Sequence, residues 1–244
     1  MSTSGPPTKK PRKSGIIYAK SGFGKKLIVI LENCVLEFGK VGKKDAILTS
    51  EDATFIKNHL KQDPLKYRPD ILHQCLLMLL DSPLNRAGKL QIYFHTTSNV
   101  LVEISPQCRI PRTFNRFCGL MCTFSHWIHV FNGLFSVQLL VKRVIKTEDG
   151  TILMRVIKNP VTQYLPVGCE VYLTSYSASK FLRPREVVPK GELEQVAIVI
   201  GCIATGQVKI DYPNTAIKIS NYPLSAAITC CKFASEFEEA WDIL

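Results

Sequence analysis

Leu27-Ile28-Val29-Ile30-Leu31 is an unbroken apolar run. Five such residues without alternation mark a strand buried on both faces, as in a parallel sheet. Downstream, Pro69-Asp70 opens a helix predicted to run to about Ser82, with Asp70 able to cap it and Ile71, Leu72, Cys75, Leu76 and Leu79 on one stripe. Asp81-Ser82-Pro83 ends it. A loop to Gly88 leads to strands near 90–95 and 99–104, and Pro111 is expected to start a second helix. Further strands are expected near 151–158, 171–174, 196–200 and 216–219, with a last helix from about Leu224 to Trp241. Apolar strands alternating with helices predict an α/β fold with a largely parallel sheet.

The 244 residues suffice for one large domain or two small ones. A hydrophobic content of 46% with 21% charged residues excludes a wholly disordered chain or a coiled-coil rod. The formal charge of +11 is unevenly spread. Lys9, Lys10, Arg12, Lys13, Lys20, Lys25 and Lys26 lie within the first 26 residues, which hold no acid. Residues 1–25 therefore read as a disordered basic tail, and Lys9-Lys10-Pro11-Arg12-Lys13 as a nuclear import signal or a loose nucleic-acid contact. Nine cysteines, scattered through apolar stretches without a CxxC pair, fit small core residues in a reducing compartment better than a disulfide framework. No apolar run follows the basic N-terminus, so no secretory signal is expected.

Phe117 to Val141 is uncharged for 25 residues, long enough to span a bilayer. Its two histidines, its Ser, Thr, Asn and Gln residues and the turn pair Asn132-Gly133 argue against a membrane segment. Phe124, Trp127, Phe131 and Phe135 follow helical spacing, so a partly buried helix is expected. Cys118, Cys122, His126 and His129 are zinc-type ligands, but they lie along one helix face where a tetrahedral site needs convergence from two elements. No metal site is expected. Gly22-Phe-Gly-Lys-Lys26 lacks the spacing and the Ser/Thr of a phosphate loop and precedes its strand.

Two constellations carry chemistry. Arg109, Arg112 and Arg116 cluster at the start of a helix, with no lysine and no acid beside them in the sequence. Guanidinium groups near exposed helix N–H groups make a phosphate-binding comb, so an RNA or other anion contact is expected. Gly201-Cys-Ile-Ala-Thr-Gly206 directly follows the apolar strand Val196–Ile200, at the sheet edge where α/β folds bind ligands. With Ile219–Ala227, where a strand end turns through Pro223 into a helix, it suggests two loops around one pocket.

These residues resemble the small-subunit ribosomal RNA pseudouridine methyltransferases of the SPOUT, or trefoil-knot, class. The resemblance rests on Arg68-Pro-Asp-Ile-Leu-His-Gln, Asp81-Ser-Pro-Leu-Asn-Arg-Ala-Gly88, Arg109 to Met121, Val156-Ile-Lys-Asn-Pro160, Gly201–Gly206 and Ser220–Ala227. It covers most of the chain from about Leu27. It implies one α/β trefoil-knot domain over 26–244, with a mostly parallel sheet and flanking helices, working as a homodimer. It also implies S-adenosylmethionine held by Thr174, Gly201, Gly206, Ile219, Ser220, Asn221, Tyr222, Pro223 and Leu224. Small-subunit rRNA would be gripped by Arg68, Arg109, Arg112 and Arg116, with Asp70 holding Arg68 in place. The implied reaction is methyl transfer to ring nitrogen 1 of a pseudouridine, in the nucleus or nucleolus and alongside pre-ribosomal assembly factors. No residue in the matching motifs is identified as the base that takes the proton. A non-catalytic rRNA-binding assembly factor is the alternative.

The sequence departs from the family in one place. In the family Gly-Leu-Met runs straight into Val-Gln-Leu-Leu within one helix. Here Cys122–Ser136 lie between Met121 and Val137, an insert of 15 residues just after the arginines. It reads as foreign to the ancestral fold, either a gene-model artefact or a segment that disturbs RNA docking more than cofactor binding.

Overall fold

The computed structural model describes residues 24–41, 44–129, 144–191 and 195–243. The apolar run at 27–31 lies inside β1 (Lys26–Cys34). Its residues alternate between two cores, Leu27, Val29 and Leu31 in one and Ile28 and Ile30 in the other. That alternation is why every position had to be apolar: period-two geometry points successive side chains to opposite faces, and both are covered.

After β1 come a hairpin, β2 (Phe38–Val41) and β3 (Lys44–Ile47), and a short irregular helical stretch containing α1 (Ala53–Phe55). Next are α2 (Pro69–Asp81), α3 (Pro83–Arg86), β4 (Leu90–Thr96), β5 (Leu101–Ile104) and α4 (Phe114–His129). The chain ends with β6 (Val144–Lys146), β7 (Ile152–Ile157), β8 (Glu170–Thr174), β9 (Gln195–Gly201), β10 (Thr215–Ile217) and α5 (Ala226–Ala240). The main sheet has eight strands in the order β10-β8-β9-β1-β4-β5-β7-β6. From β10 to β4 every neighbour is parallel. From β4 to β6 the pairs are antiparallel, an extension the strand spacing did not reveal.

The two faces are covered differently. One buries Leu72, Cys75, Leu76 and Leu79 of α2, Phe117 and Met121 of α4, and Cys230, Phe233 and Phe237 of α5. The other is closed by Val161 and Tyr164 of a short 3-10 helix, by Leu165 after it, and by Val208, Ile210 and Tyr212 of the loop after β9. The loop 202–214 therefore does the work a helix would do in a doubly wound sheet.

Three expectations need correction. The second helix starts at Phe114, not Pro111. The Pro111 carbonyl accepts a hydrogen bond from His73 Nε2 at 2.8 Å, and the Thr113 carbonyl accepts the first helical bond, from Phe117 N. Arg112 thus precedes the helix and only Arg116 lies in its first turn. Asp70 does not cap α2; its carboxylate is engaged by Arg68, and no side chain caps this helix. The last helix starts at Ala226, capped by Ser225 Oγ, which accepts from Ile228 N.

The helix α4 carries the chain without interruption through His129, so the first eight residues of the 122–136 insert continue it. The remainder of the insert lies outside the described residues, as do the tail 1–23 and the side chains of the aromatic stripe. Among the described residues no helix is long and apolar enough to cross a membrane.

Candidate cofactor pocket and arginine track

The strands β8, β9 and β10 are parallel neighbours, with Ile217 beside Thr174 and Leu173 beside Val199. Their carboxyl ends therefore open on one edge of the sheet. The loops leaving them meet the first turns of α2 and α5 around a cavity of about 570 Å³, within the range of roughly 300–1,000 Å³ typical of small-molecule sites.

The structure brings together Thr174, Gly201, Gly206, Ile219, Ser220, Tyr222, Pro223 and Leu224 on the wall of this one cavity. Asn221 belongs to the same turn and is exposed, but it does not line the wall. Each contributes differently. Thr174 Oγ1 donates to the Val199 carbonyl at 2.9 Å; its hydroxyl stitches β8 to β9. Ser220 Oγ accepts from Tyr222 N at 3.0 Å, tightening the turn into α5. Gly201 is needed because a Cβ there would lie 2.5 Å from Val208 Cγ2; the loop can pack onto the strand end only if that position is bare. Gly206 has φ +97°, a left-handed conformation strained for any other residue.

The sequence did not point to several wall residues. Ser175, Tyr176 and Ser177 follow β8, Ile71 and Gln74 lie on α2, and Thr229 lies on α5. Gln207 Nε2 donates to Ser177 Oγ at 2.8 Å, closing the loop after β9 against the loop after β8. Only the tertiary fold joins these positions, although Ser-Tyr-Ser at a strand's carboxyl end was a visible polar signal.

Arg68 is both a predicted RNA contact and a wall residue of the cavity. Asp70 grips it side-on, Nε to Oδ1 at 2.8 Å and Nη2 to Oδ2 at 2.7 Å, the bidentate geometry that fixes a guanidinium's plane. This carboxylate pairing raises the Arg68 pKa further. Of the other three arginines, Arg112 reaches the far end of α2. His73, stacked on Phe117 with centroids 4.6 Å apart and bonded to the Pro111 carbonyl, docks the 111–117 segment onto α2. Arg109 Nη1 donates to the Pro106 and Cys108 carbonyls. Arg112 pairs with Asp81 at 3.3 Å, an acid that is distant in sequence and supplied by the far end of α2. Arg109, Arg112 and Arg116 are all exposed. With Arg68 at one end of α2 and Arg112 at the other, the basic groups span a helix of about 20 Å at ~1.5 Å per residue.

The groups near the cavity set its chemistry. Among the described wall residues there is no carboxylate and no imidazole; the ionisable ones are Arg68, Lys218, Tyr176 and Tyr222. The cavity edge is thus cationic. Small side chains and backbone groups of the 201–208 and 217–225 segments form the rest, and these can hold a heteroaromatic edge or an amino-acid moiety by N–H and C=O contacts.

The chain is similar to known proteins over most of its length. The chain is 50% identical over 220 residues to the ribosomal RNA small subunit methyltransferase nep-1 of Caenorhabditis elegans, covering 89% of this chain and 88% of that protein. It is 47% identical over 222 residues to the Homo sapiens ribosomal RNA small subunit methyltransferase NEP1, covering 91% and 84%. Its fold is that of the Archaeoglobus fulgidus Nep1 solved with S-adenosylhomocysteine bound, at a TM-score of 0.68 and 22% identity over 90% of this chain and 99% of that one. The fold is therefore the SPOUT-type α/β knot with a mostly parallel sheet. The profile of the EMG1/NEP1 methyltransferases matches residues 29–238, and the chain belongs to that family.

Proposed function

We propose that this chain is an S-adenosylmethionine-dependent enzyme that methylates ring nitrogen 1 of a pseudouridine in small-subunit ribosomal RNA. One observation carries the reading: a single cavity gathers the cofactor-type loops of β8, β9 and β10 and the Asp70-held Arg68. The relatives' names supply the substrate class.

The residues present fit the cofactor. Gly206 leaves backbone open on the wall, Gly201 lets Val208 pack against the strand end, and the 219–224 turn lines the same cavity. When bound, S-adenosylmethionine would supply an electrophilic methyl group on a sulfonium. The remaining work is positioning and charge, performed by this chain. Arg68, fixed by Asp70, stands where a target base enters and stabilises negative charge as nitrogen 1 loses its proton. Nitrogen 1 gives up its proton as the bond to the methyl carbon forms, and the Arg68 and Lys218 cations favour the anionic ring. Arg109, Arg112 and Arg116 bind phosphates along α2 and set the register of the strand. The target base must leave its stack to reach the cavity.

The same reading takes the chain to act as a homodimer, in the nucleus or nucleolus with pre-ribosomal assembly factors. Exposed Met78 on α2 and Ile228 on α5 support a self-contact, because apolar side chains on two packed helices favour being covered. Residues 26–244 are taken as a single domain.

Calorimetric titration with S-adenosylmethionine tests the proposal, using the full chain and a form lacking 122–136. Saturable binding by the full chain is expected. Binding only by the shortened form would mark the insert as disruptive. No binding by either folded form would favour a non-catalytic rRNA-binding assembly factor.

A further inference from the structure

Glu32 is out of place for a β1 residue. The strand around it is aliphatic and buried, yet Glu32 is a carboxylate only 4% exposed. Burying a charge costs several kcal/mol in general, and nature offsets it only with good partners. Glu32 has two. Oε2 accepts from His95 Nδ1 at 2.9 Å, and Oε1 accepts from the Tyr212 hydroxyl at 3.2 Å. His95 Nε2 faces Asn99 Oδ1 at 2.9 Å, and that oxygen also accepts from Asn159 Nδ2. Both ring nitrogens thus meet oxygen acceptors, a pattern that an imidazolium satisfies. Asp211 is a further charge near this group. None of these residues lines the cavity.

Their relation to it runs through the chain. Glu32 sits beside Gly201 in the sheet register, and its carbonyl accepts from Cys202 N at 2.8 Å. Its side chain holds Tyr212. One residue therefore secures both ends of the segment 202–212, whose middle, Ile203 to Val208, walls the cavity. Between the two ends Val208 and Ile210 pack on the sheet, with Lys209 and Asp211 pointing outward. The side-chain hydrogen bonds tying this segment to the rest of the protein include Cys202 Sγ to Cys75 Sγ at 4.0 Å, Gln207 to Ser177, which is exposed, and Tyr212 to Glu32.

We propose that Glu32 is a positioning residue for the cofactor pocket: through Tyr212 and the Cys202 backbone it clamps the 202–212 loop in the shape that holds the cofactor. The proposal rests on the reading of the cavity as the S-adenosylmethionine site. It explains why a costly carboxylate occupies a strand end where leucine would pack.

The test uses the full chain, Tyr212→Phe and Glu32→Gln. Tyr212→Phe deletes one hydroxyl and keeps the ring's packing, so it should fold. Three readouts are taken: S-adenosylhomocysteine affinity by calorimetry, amide hydrogen exchange of 203–210 without ligand, and steady-state kinetics. Tyr212→Phe should bind S-adenosylhomocysteine about three- to tenfold more weakly, a loss within the ordinary net worth of one hydrogen bond. Exchange at 203–210 should quicken while β1 and α2 are unchanged. The KM for the methyl donor should rise with kcat retained and the KM for RNA unmoved. Glu32→Gln can still accept from Tyr212 and should fall between the two. Unchanged exchange at 203–210 with affinity within twofold of the parent overturns the clamp, as does faster exchange throughout the sheet, which would make Glu32 a general stabiliser. Failure of the parent itself to bind S-adenosylhomocysteine refutes the cofactor reading and the clamp's role in it together, whereas the ligand-free exchange separately decides whether the loop is anchored.

Discussion

Replacing Gly201 by alanine tests the pocket at its tightest point. The backbone there is not left-handed, so alanine meets no conformational penalty, and the smaller entropy of its unfolded chain would favour the fold by about 0.4–1 kcal/mol if space allowed. Space does not allow it. The new Cβ would lie 2.5 Å from Val208 Cγ2, so the loop must retreat by about an ångström to reach van der Waals contact. Overpacking of this kind costs about 1–3 kcal/mol. Because the loop that retreats is the cavity wall, much of that cost should appear as lost cofactor affinity, roughly five- to a hundredfold at ~1.4 kcal/mol per factor of ten. The next contacts are ordinary, Val208 Cβ at 3.6 Å and Ile203 Cγ1 at 3.8 Å. Val208→Ala therefore removes the clash, and the double variant should bind better than Gly201→Ala alone. Calorimetry with S-adenosylhomocysteine reads affinity, and denaturant unfolding reads stability. Binding by Gly201→Ala within twofold of the parent would refute the reasoning, as would a double variant no better than the single.

Other predictions follow from the arginine track and the half-buried His95. Asp81→Asn frees Arg112 from its 3.3 Å partner and should tighten RNA binding, whereas Arg112→Ala should weaken it and lower the log–log salt slope by about 0.7 on single-stranded RNA; filter binding across a salt series checks both. Asp70→Asn removes the bidentate hold on Arg68 and should weaken RNA binding severalfold with little change in unfolding midpoint, since both groups are partly exposed and their pairing adds little stability. His95 has its pKa raised, first by its hydrogen bond to Glu32. A raised histidine contributes stability that is complete below the unfolded value near 6.5 and is lost as pH climbs through the folded value. The stability advantage of the parent over His95→Gln should shrink as pH rises above about 6.5, read by urea unfolding at each pH. An advantage that grew with pH would contradict the Glu32–His95 pairing.

The parts of this molecule that were legible in sequence are those governed by local pattern. β1 declared itself because both its faces are buried, and α2 because one stripe of it is. β9 and the turn into α5 were visible as an apolar run before glycine and a Pro-containing bend before small residues. What escaped depends on pairing across distance. The hairpin β2–β3 carries Gly39, where a Cβ would lie 2.8 Å from Leu48 Cδ2; glycine and lysine hid a strand that only its neighbours explain. The antiparallel pairs from β4 to β6 follow from register, which no single segment encodes. At the site, the Gly and Pro loops were readable, but Gln74, Ser177 and Thr229 reach the cavity only through the fold. Asp81 beside Arg112 and Glu32 beside Tyr212 are separated by 31 and 180 positions. In sequence Glu32 is merely the polar residue that ends a strand. The helix start was misplaced because proline favours a first turn in general, while here His73 claims the Pro111 carbonyl.

The central claim is a methyl transfer to RNA, and it is tested most directly by incubating the purified full chain with methyl-labelled S-adenosylmethionine and a small-subunit rRNA fragment containing pseudouridine, then locating the label by mass spectrometry of nucleosides. The account predicts label on nitrogen 1 of pseudouridine, absent when uridine replaces it and strongly reduced by Arg68→Ala. A folded protein that binds both cofactor and RNA yet transfers no methyl, or labels uridine equally well, would contradict it.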